Sequence, residues 1–228
     1  MVRGPRPDLQ IAFRHYSLTS HLGRTDTCAA IFLGAKPRFE HIVSDEEDPA
    51  EWSPQNATAN RYKTKLFNLT GSYFLSQETV SIYWGLRNLS AFKEKTSYDH
   101  VTKPDTLPYN NILIGFERRL ISILRAKELI HPTRELSIYP LFANAAILHI
   151  YIFLRDLSKG LPFVHLISPR IRTILESIDV SRLKVQYPEM LLWIFMMGGL
   201  CGADASERSW FAAMVAGFCL ELGVYGGN

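Results

Sequence analysis

The chain has 228 residues, of which 47% are hydrophobic and 21% are charged. This composition predicts one or two folded domains with a substantial core, and it argues against a chain that is disordered throughout. The 25 Lys and Arg residues stand against 22 Asp and Glu residues and are spread along the chain, so no basic patch typical of a nucleic-acid interface stands out.

Three cysteines, Cys28, Cys201 and Cys219, lie far apart in the chain. Their odd number and wide spacing fit neither a disulfide framework nor a CxxC metal pair. We therefore expect reduced thiols in an intracellular protein, each acting as a small apolar residue of the core.

The N-terminus, MVRGPRPDLQ, carries charges and two prolines but lacks the apolar segment of a signal peptide. Three N-x-[ST] sequons occur, at Asn56, Asn68 and Asn88. Without a secretion signal they are interpreted as chance matches to a short pattern.

Residues 1–60 are predicted to form a loop-rich or poorly ordered N-terminal segment, and residues 61–228 a helical domain. The apolar run at 29–33 is too short to assign to a strand or a helix. Residues 44–60 combine an acidic cluster with two prolines. That combination is typical of a solvated loop, and an acidic contact motif beside Trp52 is the alternative.

Helical spacing of apolar residues begins near Lys65 and is interrupted by a second predicted loop at 94–111. The helix predicted over 111–130 ends before His131 and Pro132. Glu117 and three arginines lie between its apolar positions, which predicts a surface helix with one buried face. The apolar positions are Leu66, Leu69, Tyr73 and Phe74, then Val80, Tyr83, Trp84 and Leu86, and, after the loop, Leu113, Phe116, Leu120, Ile123 and Leu124.

Residues 136–154 carry no charge, and this run is long enough for a transmembrane helix. Pro140, Asn144 and His149 each raise the cost of a path through a bilayer, so we favour a helix buried in a helical bundle. His149 has no second His or carboxylate at metal-binding spacing. It is therefore predicted to be a hydrogen-bonded histidine of the core or of a groove.

The next helix is predicted to begin at Ser168, as the N-cap, with Pro169 at the first helical position. Another begins within the stretch YPEMLLWIFMMGGLCGADASERSWF, where Pro188 follows Tyr187 and Glu189 lies near the positive helix end. The uncharged residues 190–203 would span about 21 Å as a helix, which is short of a bilayer core of roughly 30 Å. We expect this helix at the centre of the bundle.

Gly198 and Gly199 are predicted to weaken that helix or to allow a close approach of another backbone. Asp204 and Glu207 have the spacing of a capping box, so a further helix should begin at about Ala205. Its predicted apolar face and its glycine terminator are Trp210, Phe211, Met214, Val215, Phe218 and Gly223.

The pattern P-E-x-L-L-W, followed by small residues and then E-R-x-W-F, resembles the C-terminal half of the fungal-specific transcription factor regulatory domain. That domain is an all-helical region downstream of zinc binuclear-cluster DNA-binding segments, and the resemblance covers about residues 141–224. Its positions in this chain are Pro188, Glu189, Leu191, Leu192, Trp193, Glu207, Arg208, Trp210 and Phe211.

The resemblance implies a nuclear, non-enzymatic regulatory domain that binds protein partners or a small effector. The six closely spaced cysteines of the family's zinc cluster do not occur in this chain. We therefore expect no metal, no cofactor and no direct sequence-specific DNA binding. The chain would be a truncated regulator, or a domain that has lost its DNA reader.

The expected fold is an all-α, irregular multi-helix bundle, and two other functions stay open. A membrane-associated protein would depend on residues 136–154. An enzyme would need a recognisable constellation, whereas the histidines are scattered and neither HExxH nor GxSxG occurs. Two charged pairs would be partner contacts or, as we favour, solvated or intramolecular ion pairs: Arg155 with Asp156, and Glu207 with Arg208.

Overall fold

The structure, a computed structural model, describes residues 26, 27, 29–31, 35, 37, 38, 75–98, 106–129, 138–157 and 162–221. No strand occurs within these ranges, and the predicted all-α bundle is confirmed there. The predictions for residues 1–25 and 39–74 lie outside the described residues. Among the described residues from 75 onward, the helices are α1 (Gln77–Tyr98), α2 (Thr106–Leu129), α3 (Ile138–His149) with a π-helical continuation (Ile150–Leu154), α4 (Pro162–Glu176), α5 (Val180–Gln186), α6 (Pro188–Cys201) and α7 (Ala205–Glu221).

The predicted loop at 94–111 is wrong at both ends. Helix α1 continues to Tyr98, and α2 already begins at Thr106. Pro108 lies in the first turn of α2, where its missing N–H has no intrahelical acceptor to lose. Pro108 is therefore part of a helix start and not of a loop.

Helix α3 and its π-helical continuation form the middle of the core. Every residue from Ile138 to Leu148 except Tyr139 is buried. The polar Asn144 is satisfied within the helix, because its Nδ2 donates to the Pro140 carbonyl at 2.8 Å. The uncharged run is thus a buried helix of the bundle, as predicted. Over the described parts of the chain, no helix combines the length and the apolar content needed to cross a bilayer.

Helix α6 begins at Pro188 as predicted and packs against α3, α4, α5 and α7. It continues through both glycines to Cys201. Gly198 is needed because a Cβ at this position would overlap the ring of Phe211 from α7. The close approach that glycine allows is therefore by an aromatic ring and not by a backbone.

The predicted start of α4 is wrong. The helix begins at Pro162, and Pro169 lies inside it. Val164, Ile167 and Ile171 are buried on one face that spans the proline, so continuous packing offsets the lost backbone hydrogen bond. Ser168 is buried and caps another helix, because its hydroxyl donates to the Gly198 carbonyl at 2.9 Å.

That contact has a local cause at the end of α6. The Gly202 N–H donates to the Gly199 carbonyl at 3.4 Å, one residue nearer than the α-helical acceptor. The Gly198 carbonyl would otherwise be one of the unpaired groups of a helix C-terminus. Ser168 therefore joins α4 to α6 by satisfying a buried acceptor.

Asn88 lies in α1 with 7% of its surface exposed, so the sequon there has no room for a glycan. Both its Oδ1 and its Nδ2 are buried and have no hydrogen-bond partner among the described residues. Asn88→Leu should therefore raise the free energy of unfolding by about 1–3 kcal/mol, because an unsatisfied buried amide is removed. Urea denaturation measures this change. Asn144→Leu is the matched control and should give no gain, since Asn144 has a partner.

Candidate functional site

The first group of motif residues begins α6. Pro188 is its first residue and Glu189 is exposed in the first turn, where a carboxylate interacts favourably with the helix dipole. Leu191 is fully buried, and Leu192 and Trp193 are half-buried against the core. Four of these five residues therefore start the helix or pack it, and only Glu189 points into solvent.

The second group of motif residues caps α7. The Asp204 Oδ1 accepts from the Glu207 N–H at 2.8 Å, as the capping-box spacing predicts. Glu207 is buried, and its carboxylate accepts from the Ala203 N–H at 2.7 Å. The capping-box pattern predicts that it accepts from the N–H of the next residue, Asp204. Arg208 donates to the Gly202 carbonyl at 3.0 Å. Glu207 and Arg208 thus both make hydrogen bonds within the chain, and they do not form an ion pair with each other.

The aromatic pair of the motif holds α7 against its neighbours. Phe211 is fully buried over Gly198, and the Trp210 ring meets Phe211 edge-on at 4.9 Å. The Arg172 guanidinium lies 5.1 Å from the centre of the Trp210 ring, within the range of a cation–π contact. The sequence motif is consequently a structural unit rather than a set of reactive groups.

Trp193 is the motif residue that reaches helices α1 and α3. Its ring centre lies 5.6 Å from that of Tyr83 in α1, and 6.0 Å from those of Phe142 and His149 in α3. We call Tyr83, Phe142, His149, Phe153 and Trp193 the His149 cluster. It joins α1, α3 and α6 at one place.

His149 is hydrogen-bonded in a groove between helices, as predicted. Its Nε2 lies 2.9 Å from the Ser90 Oγ, and its ring lies 5.2 Å from that of Phe153. Burial, reinforced by the positive charge of Arg87, lowers the pKa of His149 to about 4. The imidazole is therefore neutral at pH 7.

The proton of the Ser90 hydroxyl has its own acceptor, the Leu86 carbonyl at 2.9 Å. When Ser90 donates to Leu86, its oxygen accepts from His149 and the Nε2 carries the hydrogen. A nucleophilic serine requires the reverse arrangement, in which the imidazole accepts the hydroxyl proton. In the arrangement with the Leu86 bond, the pair positions the His149 ring and does not activate Ser90.

The depressed pKa of His149 predicts that acid destabilises the fold. The unfolded chain, with a His pKa near 6.5, takes up this proton first, so the stabilisation is complete above about pH 6.5 and is lost as the pH falls towards 4. The loss between pH 7 and pH 4 should be about 2–3 kcal/mol. Urea denaturation across this range, compared with His149→Gln, isolates the contribution. Equal pH slopes in the two proteins would contradict the burial of a neutral His149.

A second polar grouping, the Arg155 anchor, lies where the π-helical segment ends. The Arg155 Nε and Nη2 donate to the two carboxylate oxygens of Glu117 at 2.8 and 3.1 Å, and Nη1 donates to the Asn110 Oδ1 at 3.4 Å. The side chains of Arg155 and Glu117 are 3% and 0% exposed. A bidentate pair of this kind fixes both position and orientation between α2 and the end of α3.

The π-helical segment ends at the Arg155 anchor. The Arg155 N–H donates to the Ile150 carbonyl at 2.8 Å, which leaves the last carbonyls of the segment to side chains. Lys93 donates to the Phe153 carbonyl at 2.6 Å, and Tyr109 donates to the Leu154 carbonyl at 3.1 Å. Burial raises the pKa of Tyr109 to about 12, which keeps the phenol protonated as a donor.

The left-handed backbone of Asp156 completes the turn after the segment, with a φ of 51°. Its carboxylate lies 2.5 Å from the Lys93 Nζ. Arg155 and Asp156 are therefore both in intramolecular ion pairs, as favoured from the sequence, but each pairs with another helix rather than with its neighbour.

Sequence reasoning missed Glu117, which it placed on the exposed face of α2. The structure buries this carboxylate completely. One signal was present, because Glu117 lies four residues after Leu113 and three before Leu120, on the apolar stripe itself. A charged residue at such a position indicates that a partner is buried with it. That this partner is Arg155 cannot be read from the residues near Glu117 in the sequence.

Cys201 is buried and Cys219 is half-buried, and neither is in a disulfide with another described residue, whereas Cys28 lies outside the described residues. In the part of the chain that the structure describes, no group of three or more His, Cys, Asp or Glu side chains is placed to hold a metal ion. Comparison of the chain with protein-family models, with curated proteins and with solved structures finds no match.

Proposed function

We propose that the chain is a non-enzymatic, nuclear regulatory domain of the fungal-type transcription factor class that lacks its own DNA-binding zinc cluster. The proposal starts from the resemblance over residues 141–224. Its main structural support is that the motif residues of α6 and α7 cap and pack two helices. Such a role is expected of a domain that binds partners through a stable framework.

The exposed face of the same helix also supports an interaction role. Met196 and Leu200 in α6 are 50% and 44% exposed, although the sequence predicts this helix at the centre of the bundle. Residues of this kind on an otherwise packed helix are typical of an interaction surface. A regulator without its own DNA reader would use a surface of this kind to bind a protein partner.

A reporter assay tests the proposed function. The full chain is fused to an unrelated DNA-binding domain, and transcription from a promoter with matching sites is compared with that given by the DNA-binding domain alone. We expect a change of at least about fivefold with the fusion, and none from the unfused chain. An unchanged reporter, with the fusion present in the nucleus at equal abundance, would contradict a role in transcription.

A hydrolytic enzyme has one observation in its favour, the 2.9 Å contact between Ser90 and His149. The Leu86 carbonyl, also 2.9 Å from the Ser90 Oγ, competes for the proton that a nucleophilic serine would give to His149. Ester hydrolysis by the purified chain that is lost in Ser90→Ala would favour the enzyme instead.

A further inference from the structure

A short helical turn from the N-terminal part of the chain packs against the bundle. We define this N-terminal turn as residues 26, 27 and 29–31, all of which are helical. Its buried side chains are Thr27, Ala30 and Ile31, which are 1%, 3% and 4% exposed, whereas Ala29 is exposed. The buried positions are spaced by three and four residues, so the turn presents one face to the bundle.

The N-terminal turn reaches the same core as the main helices. Ala30 and Ile31 belong to the hydrophobic cluster that also contains Ile167 and Ile171 of α4. The Ala35 N–H donates to the Ala30 carbonyl at 2.9 Å, which closes the end of the turn. The bundle therefore has a surface on which a separate short helix is seated.

Helix α4 adds a polar contact at the end of the turn. The Arg170 Nη1 donates to the Ile31 carbonyl at 3.2 Å. The last carbonyls of a helix lack an intrahelical donor, and an arginine side chain is a favourable donor for them. This surface of α4 therefore recognises both the apolar face of a helix and its C-terminal end, which fixes the direction of the helix.

The contact joins two distant parts of the chain, since Ile31 and Arg170 are 139 positions apart. A helix of one or two turns is not stable alone in water, so the N-terminal turn is ordered by the surface that it covers. Its buried face consists of one isoleucine and two smaller side chains, which is a small apolar gain against the entropy cost of ordering the segment. Such a balance is typical of the parts of a protein that open locally.

We propose that this surface of α4 is a binding site for a short helix, and that the N-terminal turn is its ligand within the chain and undocks without unfolding the domain. The site takes a helix with small or β-branched residues at positions i, i+3 and i+4 and with a C-terminal carbonyl directed at Arg170. A partner helix of this pattern competes with the turn, which acts as an autoinhibitory contact. The inference does not depend on a role in transcription.

The test uses the purified full chain and a fluorescein-labelled peptide with the sequence of residues 24–38, under reducing conditions. A tethered turn has an effective concentration that a free peptide at micromolar concentration does not match, so the wild-type chain should bind the peptide weakly. Ala30→Asp places a charge on the buried face of the turn and should open the site. We expect fluorescence anisotropy to give a Kd at least about tenfold lower for Ala30→Asp than for the wild-type chain.

Ala29→Asp is the matched control, because it introduces the same charge at the neighbouring, exposed position. Its Kd for the peptide should stay within about twofold of the wild-type value. A peptide that itself carries Ala30→Asp should bind the opened chain at least about tenfold more weakly than the wild-type peptide. Arg170→Ala, added to Ala30→Asp in the chain, should weaken binding of the wild-type peptide at least about threefold, because the donor to the Ile31 carbonyl is lost.

Three results would overturn the proposal. One is an equal Kd for the Ala30→Asp and wild-type chains. Another is a loss of helical content in Ala30→Asp by circular dichroism, since the turn would then be a part of the fold that the domain cannot release. The third is binding that the Ala30→Asp peptide or Arg170→Ala leaves unchanged, which would place the peptide elsewhere. The reporter assay is independent of these measurements, so either proposal can fail alone.

Discussion

Arg155→Ala should lower the free energy of unfolding by about 3–5 kcal/mol, because it leaves the Glu117 carboxylate buried and uncompensated. The two side chains are 3% and 0% exposed, and both carboxylate oxygens accept hydrogen bonds from Arg155. Neither oxygen can turn to water when the guanidinium is removed. Urea denaturation of the full chain, followed by circular dichroism, measures the loss.

Two controls separate a buried charge from the loss of any ion pair. Lys184→Ala removes the pair with Glu221, whose side chains are 22% and 58% exposed, and should cost less than about 1 kcal/mol. The double variant Arg155→Met with Glu117→Leu should recover most of the loss, since apolar residues of similar volume replace both charges. A double variant as unstable as Arg155→Ala would show that the pair itself stabilises the fold.

Trp193→Ala should destabilise the protein by about 3–5 kcal/mol, as expected for loss of a large aromatic side chain from a packed site. The indole ring contacts rings from two other helices, those of Tyr83, Phe142 and His149. Its removal leaves a cavity where α1, α3 and α6 meet. Thermal and urea denaturation measure the change.

Met196→Ala is the matched control for Trp193, because it lies one turn further along α6 and is 50% exposed. Its effect should stay within about 1 kcal/mol. Trp193→Phe should retain a large part of the stability, since one ring still fills the site. A melting curve that Trp193→Ala leaves unchanged would refute the position of this residue between the three helices.

Local signals predicted the start of two helices correctly, and each acts within one turn of the chain. Pro188 begins α6, and Asp204 with Glu207 caps α7. Ser168 and Pro169 are residue types that are expected at a helix start, yet both lie inside α4. There, the continuous apolar face of α4 and the buried Gly198 carbonyl of α6 outweighed the local preference for a helix start. No residue near Ser168 in the sequence indicates that this carbonyl needs a donor.

The candidate site was predictable only in part. His149 could be identified as a hydrogen-bonded histidine because a polar residue in an uncharged buried helix needs a partner. Its partner Ser90 lies 59 positions away in the chain, and Arg155 lies 38 positions from Glu117. Spacing patterns do not reach across such separations, so these pairs could not be read from the sequence.

The sequence by itself determined that the chain is helical, where most of its described helices run, and which apolar residues face a core, because these depend on helical period and on capping within a turn or two. Only the tertiary structure decided that Glu117 is buried against Arg155, that Ser168 caps α6, and that one side of α6 stays exposed. Burial is a property of the helices that pack around a residue. A helix that is apolar on every side carries no signal for the side that its neighbours leave uncovered.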